Sequence, residues 1–273
     1  MARLVIISNR VPVPGQRGQA AGGLAVALHN AAHQRDCLWF GWSGNVTNRE
    51  TPLAPRIAQS GRIAFATIDL AHADYQGYYR GFANGMLWPL LHSRVGLSEF
   101  RRTEFAAYLA VNSAFANALA PLLQPDDTIW VHDYHLFPLG QALRDAGVRG
   151  LIGFFLHVPF PPPSLFECLP QGDKLLRTLA AYDAVGVQVP DDAANLNALL
   201  DKLGIAVRAA AIPVGRSRCF RKGRTSSGDW AGGDASVRQL GRPRADPRSG
   251  PSGLHQRPAA PVSWLCGVAA PVP

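Results

Sequence analysis

The chain has 273 residues, of which 47% are apolar and 17% are charged. This length fits one large domain or two ordinary ones, and the apolar share is enough to bury a core. The small charged share excludes a disordered charged chain and a coiled coil. No apolar run approaches the roughly 18 residues that a membrane span needs, and residues 1–8 lack the pattern of a secretion signal.

The cysteines indicate a reducing compartment. There are four of them, and they lie far apart at Cys37, Cys168, Cys219 and Cys266. This spacing fits neither a disulfide framework nor a CxxC metal site. We therefore expect a cytoplasmic protein.

The formal net charge of +8 is concentrated in one part of the chain. Residues 216–273 contain ten Lys and Arg, three Asp and no Glu, whereas residues 1–215 contain seventeen basic and sixteen acidic residues. The basic segment is also rich in Gly, Pro and Ser, and it shows neither helical nor strand periodicity. Such a segment buries too little apolar surface to offset its ordering entropy. The sequence therefore predicts a domain over residues 1–215 and a disordered or irregular tail over residues 216–273.

In chain order, the first 215 residues alternate buried-strand patterns with helical patterns. The strand candidates are residues 4–7, 38–42, 63–68, 128–131, 151–156, 184–189 and 207–213. The helix candidates are residues 24–33, 103–123, a segment that ends near 146 before Gly147, and 191–203 before Gly204. Strands that alternate with helices predict an α/β fold, with a Rossmann-like, mainly parallel sheet, right-handed crossovers and flanking helices.

Polar side chains follow three of the predicted strands. Arg10 follows the first strand, Asp133 follows the strand at 128–131, and His157 follows the strand at 151–156. In open parallel sheets, ligands bind outside the carboxyl ends of the strands. These three side chains therefore predict one site.

Each of the three residues has a functional and a structural interpretation. The guanidinium of Arg10 suits a phosphate, although a surface ion pair would also use it. Asp133 could accept hydrogen bonds from sugar hydroxyls or act as a base, or it could cap the helix that follows. His157 could donate to a hydroxyl or to a developing negative charge, or it could be a satisfied buried histidine. The sequence leaves these alternatives open.

Glycines and aromatic residues offer two further candidate features. Gly22 and Gly23 precede a predicted helix, where they suit the approach of a phosphate or simply form a tight turn. Residues 74–84 and Trp88 are rich in aromatic and amide groups. Such groups suit a sugar ring, and they equally suit the packing of a helix.

Two histidines have a spacing that could bind a metal. His132 and His135 are three residues apart, which is compatible with two ligands on one helical turn. No third ligand has a suitable spacing. We therefore expect no metal.

Several motifs of this chain resemble those of the trehalose-6-phosphate synthases. They are Ser8-Asn9-Arg10-Val11, Ala21-Gly22-Gly23-Leu24, Leu38-Trp39-Phe40-Gly41-Trp42-Ser43-Gly44, Gly81-Phe82-Ala83-Asn84, Leu87-Trp88-Pro89, Phe100-Arg101-Arg102, Trp130-Val131-His132-Asp133-Tyr134-His135-Leu136 and Gly153-Phe154-Phe155-Leu156-His157-Val158-Pro159-Phe160-Pro161. In combination they distinguish this family from glycogen synthases and from other nucleotide-sugar transferases of similar architecture. The resemblance runs from about Arg3 to Gly215 and covers the amino-terminal half of the family's sequence.

The resemblance implies the amino-terminal domain of a GT-B glycosyltransferase, a fold in which two Rossmann-like domains face each other across a cleft. It implies retaining transfer of glucose from UDP-glucose to glucose 6-phosphate, which gives trehalose 6-phosphate without a metal or another cofactor. UDP-glucose and glucose 6-phosphate are then the expected partners, and self-association into a homo-oligomer is left open.

The matching motifs imply an acceptor site. Arg10 is expected to contact the phosphate of the acceptor. Trp42, Tyr79 and Trp88 are expected to shape the site of the acceptor sugar. Asp133 is expected to bind the acceptor hydroxyls.

The same motifs imply donor contacts. Gly22 and Gly23 are expected to approach the phosphate or the sugar of UDP-glucose, and His157 is expected to contact the transferred glucose. His157 and Asp133 are therefore the catalytic candidates that the resemblance implies.

Residues 216–273 depart from the family pattern. The family continues into a second domain with an Arg-Leu-Asp-Tyr-Ser-Lys-Gly segment and a later Asp-Gly-Met-Asn-Leu segment, which bind the donor, and neither string occurs in this sequence. The composition changes abruptly after Pro213-Val214-Gly215. We therefore expect a truncated synthase without the donor-binding domain, produced by a shift of reading frame near codon 215 and almost inactive by itself.

Two other functions compete with this interpretation. A non-catalytic module could bind a sugar phosphate or pair with an intact subunit. The basic tail could bind nucleic acid, but its arginines alternate with Pro and Gly and lack interleaved aromatic residues. We therefore expect neither a nucleic-acid partner nor a membrane partner.

Overall fold

The computed structural model describes residues 2–13, 36–48 and 54–212. Within these ranges, eight strands form one sheet in the order β3-β4-β2-β1-β5-β6-β7-β8. The strands are β1 (Leu4–Arg10), β2 (Cys37–Thr47), β3 (Arg56–Ser60), β4 (Ile63–Ala71), β5 (Thr128–His132), β6 (Leu151–Phe155), β7 (Ala184–Val187) and β8 (Ala209–Ala211). The helix predicted over residues 24–33, the Gly22-Gly23 turn and the tail predicted over 216–273 lie outside the described residues.

The sheet is parallel except at one edge. Strand β3 pairs antiparallel with β4, and every other pair of neighbouring strands is parallel. The mainly parallel α/β fold and all seven predicted strands are therefore confirmed. The sequence did not predict β3, because all five of its residues are exposed and carry no buried-strand pattern.

The strand order reverses direction at β1, which lies between β2 and β5. Residues 4–7 of this strand are fully buried, as a strand covered on both faces requires. In open α/β sheets, ligands bind in a crevice outside the carboxyl ends of the strands, at the point where the strand order reverses. In this sheet, that point lies beside the carboxyl end of β1.

The helices lie in the connections between the strands. They are α1 (residues 72–91), α2 (Arg102–Leu119), α3 (Leu139–Asp145), α4 (Pro163–Phe166), α5 (Gly172–Arg177) and α6 (Pro190–Lys202), with short 3₁₀ turns at Val95–Leu97, Ala120–Leu122, Tyr134–Leu136 and Thr178–Ala181. Helices α2, α3 and α6 confirm the predictions. Gly147 and Gly204 have φ angles of 89° and 67°, so the two predicted stop signals are also confirmed.

Helix α1 is an unusual element that the sequence did not predict. It begins as α-helix (His72–Asp74), widens into π-helix (Tyr75–Leu87) and ends as α-helix (Trp88–Leu91). The N–H of Trp88 donates to the carbonyl of Ala83, five residues earlier. The π-helix is rare, appears mostly as single-turn bulges inside α-helices, and is frequently found at functional sites.

The aromatic residues of α1 fall into two groups, one that packs against another helix and one that remains partly exposed. Tyr78 and Phe82 are fully buried, and their rings lie 5.8 and 4.8 Å from the ring of Tyr108 on α2. Tyr75 and Tyr79 are half-buried and stack on each other at 5.5 Å. One side of the helix therefore packs into the core, while the other carries aromatic rings to the end of the sheet.

Helix α2 holds the loop that follows β5. The Tyr108 hydroxyl donates to the carbonyl of Tyr134 at 2.6 Å, and the Asn112 amide donates to the carbonyl of His135 at 3.1 Å. Both donor side chains are buried, so their polar groups are paired inside the core with carbonyls of the loop. These two bonds fix the backbone on which Asp133 and its neighbours lie.

Helix α2 with its 3₁₀ extension, Arg102–Leu122, is long and apolar enough to cross a membrane by length and composition. Its larger apolar residues pack into the core, where Phe115 and Leu119 are fully buried.

Candidate active site

The carboxyl ends of the central strands bring distant segments of the chain together. Strand β1 pairs with both β2 and β5, so Ile7 lies opposite Phe40 on one side and Val131 on the other. The N–H of Asp133 donates to the carbonyl of Phe155 at 2.8 Å, which joins the loop after β5 to the end of β6. The side chains predicted to form one site therefore share one edge of the sheet.

Arg10 lies at the end of β1 with its side chain exposed. Its guanidinium carbon is 5.8 Å from the ring centroid of Trp42, and it forms no salt bridge with a described carboxylate. The surface ion pair that the sequence left open is thus not present among the described residues. Among the described residues, no carboxylate competes with an anion for the guanidinium fork.

Gly44 is a residue that the sequence did not single out as part of the site. Its φ is +93°, a conformation that favours glycine, and a Cβ atom there would lie 2.6 Å from Nη2 of Arg10. Any side chain at this position would therefore displace the guanidinium. In the sequence, the one indication that Gly44 matters was its place at the end of the Trp42-Ser43-Gly44 segment.

An aromatic wall connects Arg10 to the loop after β5. We define it as Trp42, Tyr75, Tyr79 and His135. The Trp42 ring lies 5.6 Å from Tyr75 and 5.3 Å from Tyr79, and the Tyr79 ring stacks on His135 at 5.7 Å. The sequence offered Tyr75 only within the aromatic segment 74–84 and His135 only as half of a metal pair. It did not place them in one wall, because their neighbourhood depends on helix α1, which the sequence did not reveal.

Asp133 lies beyond the aromatic wall with a φ of 77°. Its Oδ1 accepts from the N–H of His157 at 3.2 Å, and it makes no side-chain capping bond to the turn that follows. Burial raises the pKa of this carboxyl to about 6, although the backbone N–H groups of Tyr134 and His157 and the nearby His92 oppose the shift. The capping interpretation is therefore wrong, and the carboxylate is held in an environment that disfavours its charge.

His157 and His132 form a hydrogen-bonded pair. His132 Nδ1 and His157 Nε2 are 2.9 Å apart, and His132 is fully buried whereas His157 is half-buried. Burial lowers the pKa of His157 to about 4 and lowers that of His132 well below its usual value. Both rings are therefore neutral at neutral pH.

His132 and His135 do not converge on a common point. The ring of His132 contacts Trp130 and His157, whereas the ring of His135 lies beside Tyr79 and Tyr134. Within the described ranges, no group of three or more His, Cys, Asp or Glu side chains is arranged to hold a metal ion.

Trp88 lies in the last turn of α1 and is 38% exposed. Its ring packs on His92 at 4.2 Å, and Nδ1 of His92 donates to the carbonyl of Trp88 at 2.7 Å. Asn84, four residues before Trp88 on the same helix, accepts a hydrogen bond from the Tyr134 hydroxyl at 2.7 Å, so this end of α1 lies beside the loop after β5. Trp88 is not in ring contact with Trp42 or Tyr79, so it is separate from the aromatic wall.

The fold is similar to that of solved proteins. One of them is an α,α-trehalose-phosphate synthase (UDP-forming) from Burkholderia xenovorans in complex with glucose-6-phosphate. It is 41% identical to this chain, with a TM-score of 0.74, and the match covers 78% of this chain and 50% of that one. The chain is also 41% identical, with a TM-score of 0.72, to the Escherichia coli enzyme bound with UDP-2-fluoro glucose, over 78% of this chain and 49% of that one.

Sequence comparison gives the same family. A trehalose-6-phosphate synthase from Sinorhizobium fredii is 47% identical over 207 residues, which is 75% of this chain and 45% of that protein. The chain thus spans about half the length of the curated relatives that it matches. The family model of glycosyltransferase family 20 matches residues 3–211, and the chain belongs to this family.

Proposed function

We propose that this chain provides the glucose 6-phosphate side of a trehalose-6-phosphate synthase site. One observation carries the proposal: the Arg10 guanidinium, which has no carboxylate partner in the described part of the chain, lies at one end of an aromatic wall, and the buried Asp133 carboxylate lies at the other. A sugar phosphate has the same polarity, with an anion at one end of an apolar ring face and hydroxyl groups at the other.

The proposed acceptor lies along this wall. Its phosphate contacts Arg10, because a guanidinium matches phosphate oxygens with two parallel N–H bonds. Its ring lies near Trp42 and Tyr79, and its hydroxyls donate to Asp133. Trp88 closes the Asp133 end of the site. The relative solved with glucose-6-phosphate supports this choice of ligand.

The proposed donor is UDP-glucose, as the relative bound with UDP-2-fluoro glucose suggests. His157 contacts the transferred glucose, since it is adjacent to Asp133 through the 3.2 Å bond from its N–H. Gly22 and Gly23 remain proposed donor contacts outside the described residues. The reaction is transfer of glucose with retention and without a metal or cofactor.

Positioning is what the described residues contribute to this reaction. Holding both sugars in register converts a bimolecular step into an effectively unimolecular one. The second requirement is stabilisation of charge on the leaving diphosphate, which is worth several kcal/mol of barrier. The family segments that meet this requirement are missing from residues 216–273. We therefore propose that a chain of these 273 residues binds sugar phosphate but transfers glucose poorly, in the cytoplasm and without nucleic acid.

A first prediction concerns the phosphate contact. Arg10→Ala should weaken glucose 6-phosphate binding by about 10- to 100-fold, because a hydrogen bond to a charged group contributes about 1.5–3 kcal/mol. Binding of glucose, which has no phosphate, should be unchanged. Isothermal titration calorimetry measures both ligands.

Arg62→Ala is the matched control for this experiment. Arg62 is also exposed, but it lies just before β4, at the opposite ends of the strands, and pairs with Asp36 at 3.0 Å. This variant should bind glucose 6-phosphate as the unmodified chain does. If Arg10→Ala also binds normally, the phosphate does not lie at Arg10.

A second prediction concerns Gly44, which should act on the ligand only through Arg10. Gly44→Ala should weaken glucose 6-phosphate binding by about tenfold or more, because its Cβ displaces the guanidinium. In the Arg10→Ala background, Gly44→Ala should weaken binding by less than about twofold, because the effects of mutations at two coupled positions are not additive. Calorimetry on the four chains gives the cycle.

Gly147→Ala controls for backbone strain. Gly147 has a φ of +89°, close to that of Gly44, but a Cβ there meets nothing within 4 Å. Both alanine variants should lose about 1–2 kcal/mol of stability from the left-handed conformation, and only Gly44→Ala should lose ligand affinity. Equal binding by the two variants would contradict the collision with Arg10.

A third prediction concerns the pH dependence of stability. A carboxyl whose pKa is raised on folding destabilises the protein above that pKa and has no such effect below its ordinary value. Asp133→Asn should therefore stabilise the protein at pH 7.5, by at most about 3 kcal/mol for a shift of about two pKa units, and should do so no longer at pH below about 4. Asparagine also tolerates the φ of 77°.

Urea unfolding across this pH range measures the difference. Asp126→Asn is the control, since Asp126 is an exposed aspartate at the other end of β5. Its stability should follow the pH profile of the unmodified chain. The same profile for Asp133→Asn would show that the Asp133 carboxylate is not destabilised by burial.

A fourth prediction concerns catalysis. The purified 273-residue chain should form no measurable trehalose 6-phosphate from UDP-glucose and glucose 6-phosphate, although it binds the latter. Loss of a single donor to a developing charge already costs about 10²- to 10³-fold, and a whole clamp costs more. Steady turnover by the pure chain would overturn this part of the proposal, and absence of glucose 6-phosphate binding would overturn the binding part.

A further inference from the structure

The side chain directly behind His157 has no part in the function proposed above. His132 ends β5, is fully buried, and lies with its Nδ1 2.9 Å from Nε2 of His157. Its other ring nitrogen, Nε2, is buried and has no hydrogen-bond partner among the described residues. A buried polar atom without a partner is rare enough to require an explanation.

The hydrogen bond between the two rings contains one proton. The ring nitrogen that carries this proton determines the tautomer of both histidines. In one arrangement Nδ1–H of His132 donates to Nε2 of His157, so His132 has a bare Nε2 and His157 carries its proton on Nδ1. In the other, Nε2–H of His157 donates to Nδ1 of His132. His132 then has a buried Nε2–H, and His157 has a bare Nδ1.

Trp130 distinguishes the two arrangements. Its indole Nε1–H, which can only donate, is also buried without a partner among the described residues, and its ring lies 4.3 Å from that of His132. Because the two rings are in contact, the indole N–H is exposed to the polarity of the His132 ring. A bare Nε2 on His132 adds an acceptor to this buried region, which attracts the indole donor, whereas a protonated Nε2 would add a second unpaired N–H donor where electrostatic repulsion is strong. The first arrangement is therefore the more stable one.

The remaining polar atoms of His157 are already engaged. Its N–H donates to Oδ1 of Asp133 at 3.2 Å, and its carbonyl accepts from the side-chain amide of Gln188. With Nε2 held by His132, Nδ1 is the polar atom of His157 that makes no hydrogen bond to a described residue. The lowered pKa of both histidines means that each ring carries one proton at neutral pH.

We propose that His132 is a positioning residue that fixes His157 as a neutral hydrogen-bond donor through Nδ1–H. His157 then accepts nothing through this atom, so its ligand must present an oxygen lone pair, as a sugar hydroxyl does. This identification of the ligand rests on the proposed function of His157 as a donor-sugar contact. The tautomer does not depend on it.

The test is the ¹⁵N signal of the histidine side chains in the ligand-free, full 273-residue chain. Protonated and bare ring nitrogens resonate far apart, and the His157→Gln variant assigns the signals. We expect His157 with a protonated Nδ1 and a bare Nε2, and His132 with the same tautomer. A protonated Nε2 on His157 would overturn the proposal without any variant at His132.

Two variants then test whether His132 is the cause. His132→Leu removes the donor, so the two nitrogen signals of His157 should shift towards each other as both tautomers become populated. His132→Asn places an amide N–H near the position of Nδ1 and should restore the original signals. A merely structural role would not distinguish the two variants, and unchanged His157 signals in His132→Leu would contradict the proposal.

Titration with UDP-glucose examines the proposed function separately. A shift of the His157 Nδ1 signal upon saturation supports the donor-sugar contact. If the tautomer is as expected and UDP-glucose saturates the chain without shifting this signal, the contact assigned to His157 is wrong and the role of His132 stands.

Discussion

The position of β1 between β2 and β5 is the constraint on which the rest of the site depends. Parallel pairing on both sides aligns the carboxyl ends of three strands that lie far apart in the sequence. Arg10, Trp42 and Asp133 then share one edge without any long-range contact between their side chains being required. A shift of one residue in either pairing would turn the alternate side chains to the opposite face of the sheet. The fully buried residues 4–7 fix this register.

The loop after β5 has a well hydrogen-bonded backbone, but it carries side chains whose burial is energetically unfavourable. Tyr108 and Asn112 satisfy the backbone carbonyls of this loop, so its course is well determined. The side chains on it are less well satisfied: Asp133 is a carboxyl with a raised pKa, and both ring nitrogens of His135 are buried without a partner among the described residues. Perturbed groups concentrate at functional sites because the fold gives up stability there. The surrounding hydrogen bonds keep this loss local.

The sequence predicted the sheet better than the site, and the reasons are physical. Buried strands such as residues 4–7 and 128–131 are continuous apolar runs, which a sequence displays directly. Helix α1 has no such signal, because glycines and polar residues interrupt it and its hydrogen bonds follow the π pattern. Without that helix, the neighbourhood of Tyr75, Tyr79 and His135 could not be derived. Gly44 and the pair His132–His157 depend on distances across strands, which spacing along the chain does not encode.

The neutrality of the histidine pair has a consequence for how the two sides of the site respond to acidification. With the pKa of His157 at about 4 and that of His132 well below its usual value, this pair keeps its charge state throughout the physiological range. Asp133, with a pKa of about 6, lies within that range and changes charge. Mild acidification would thus change the charge of Asp133 while the neighbouring histidine pair stays neutral, so two adjoining parts of the same edge respond to pH independently.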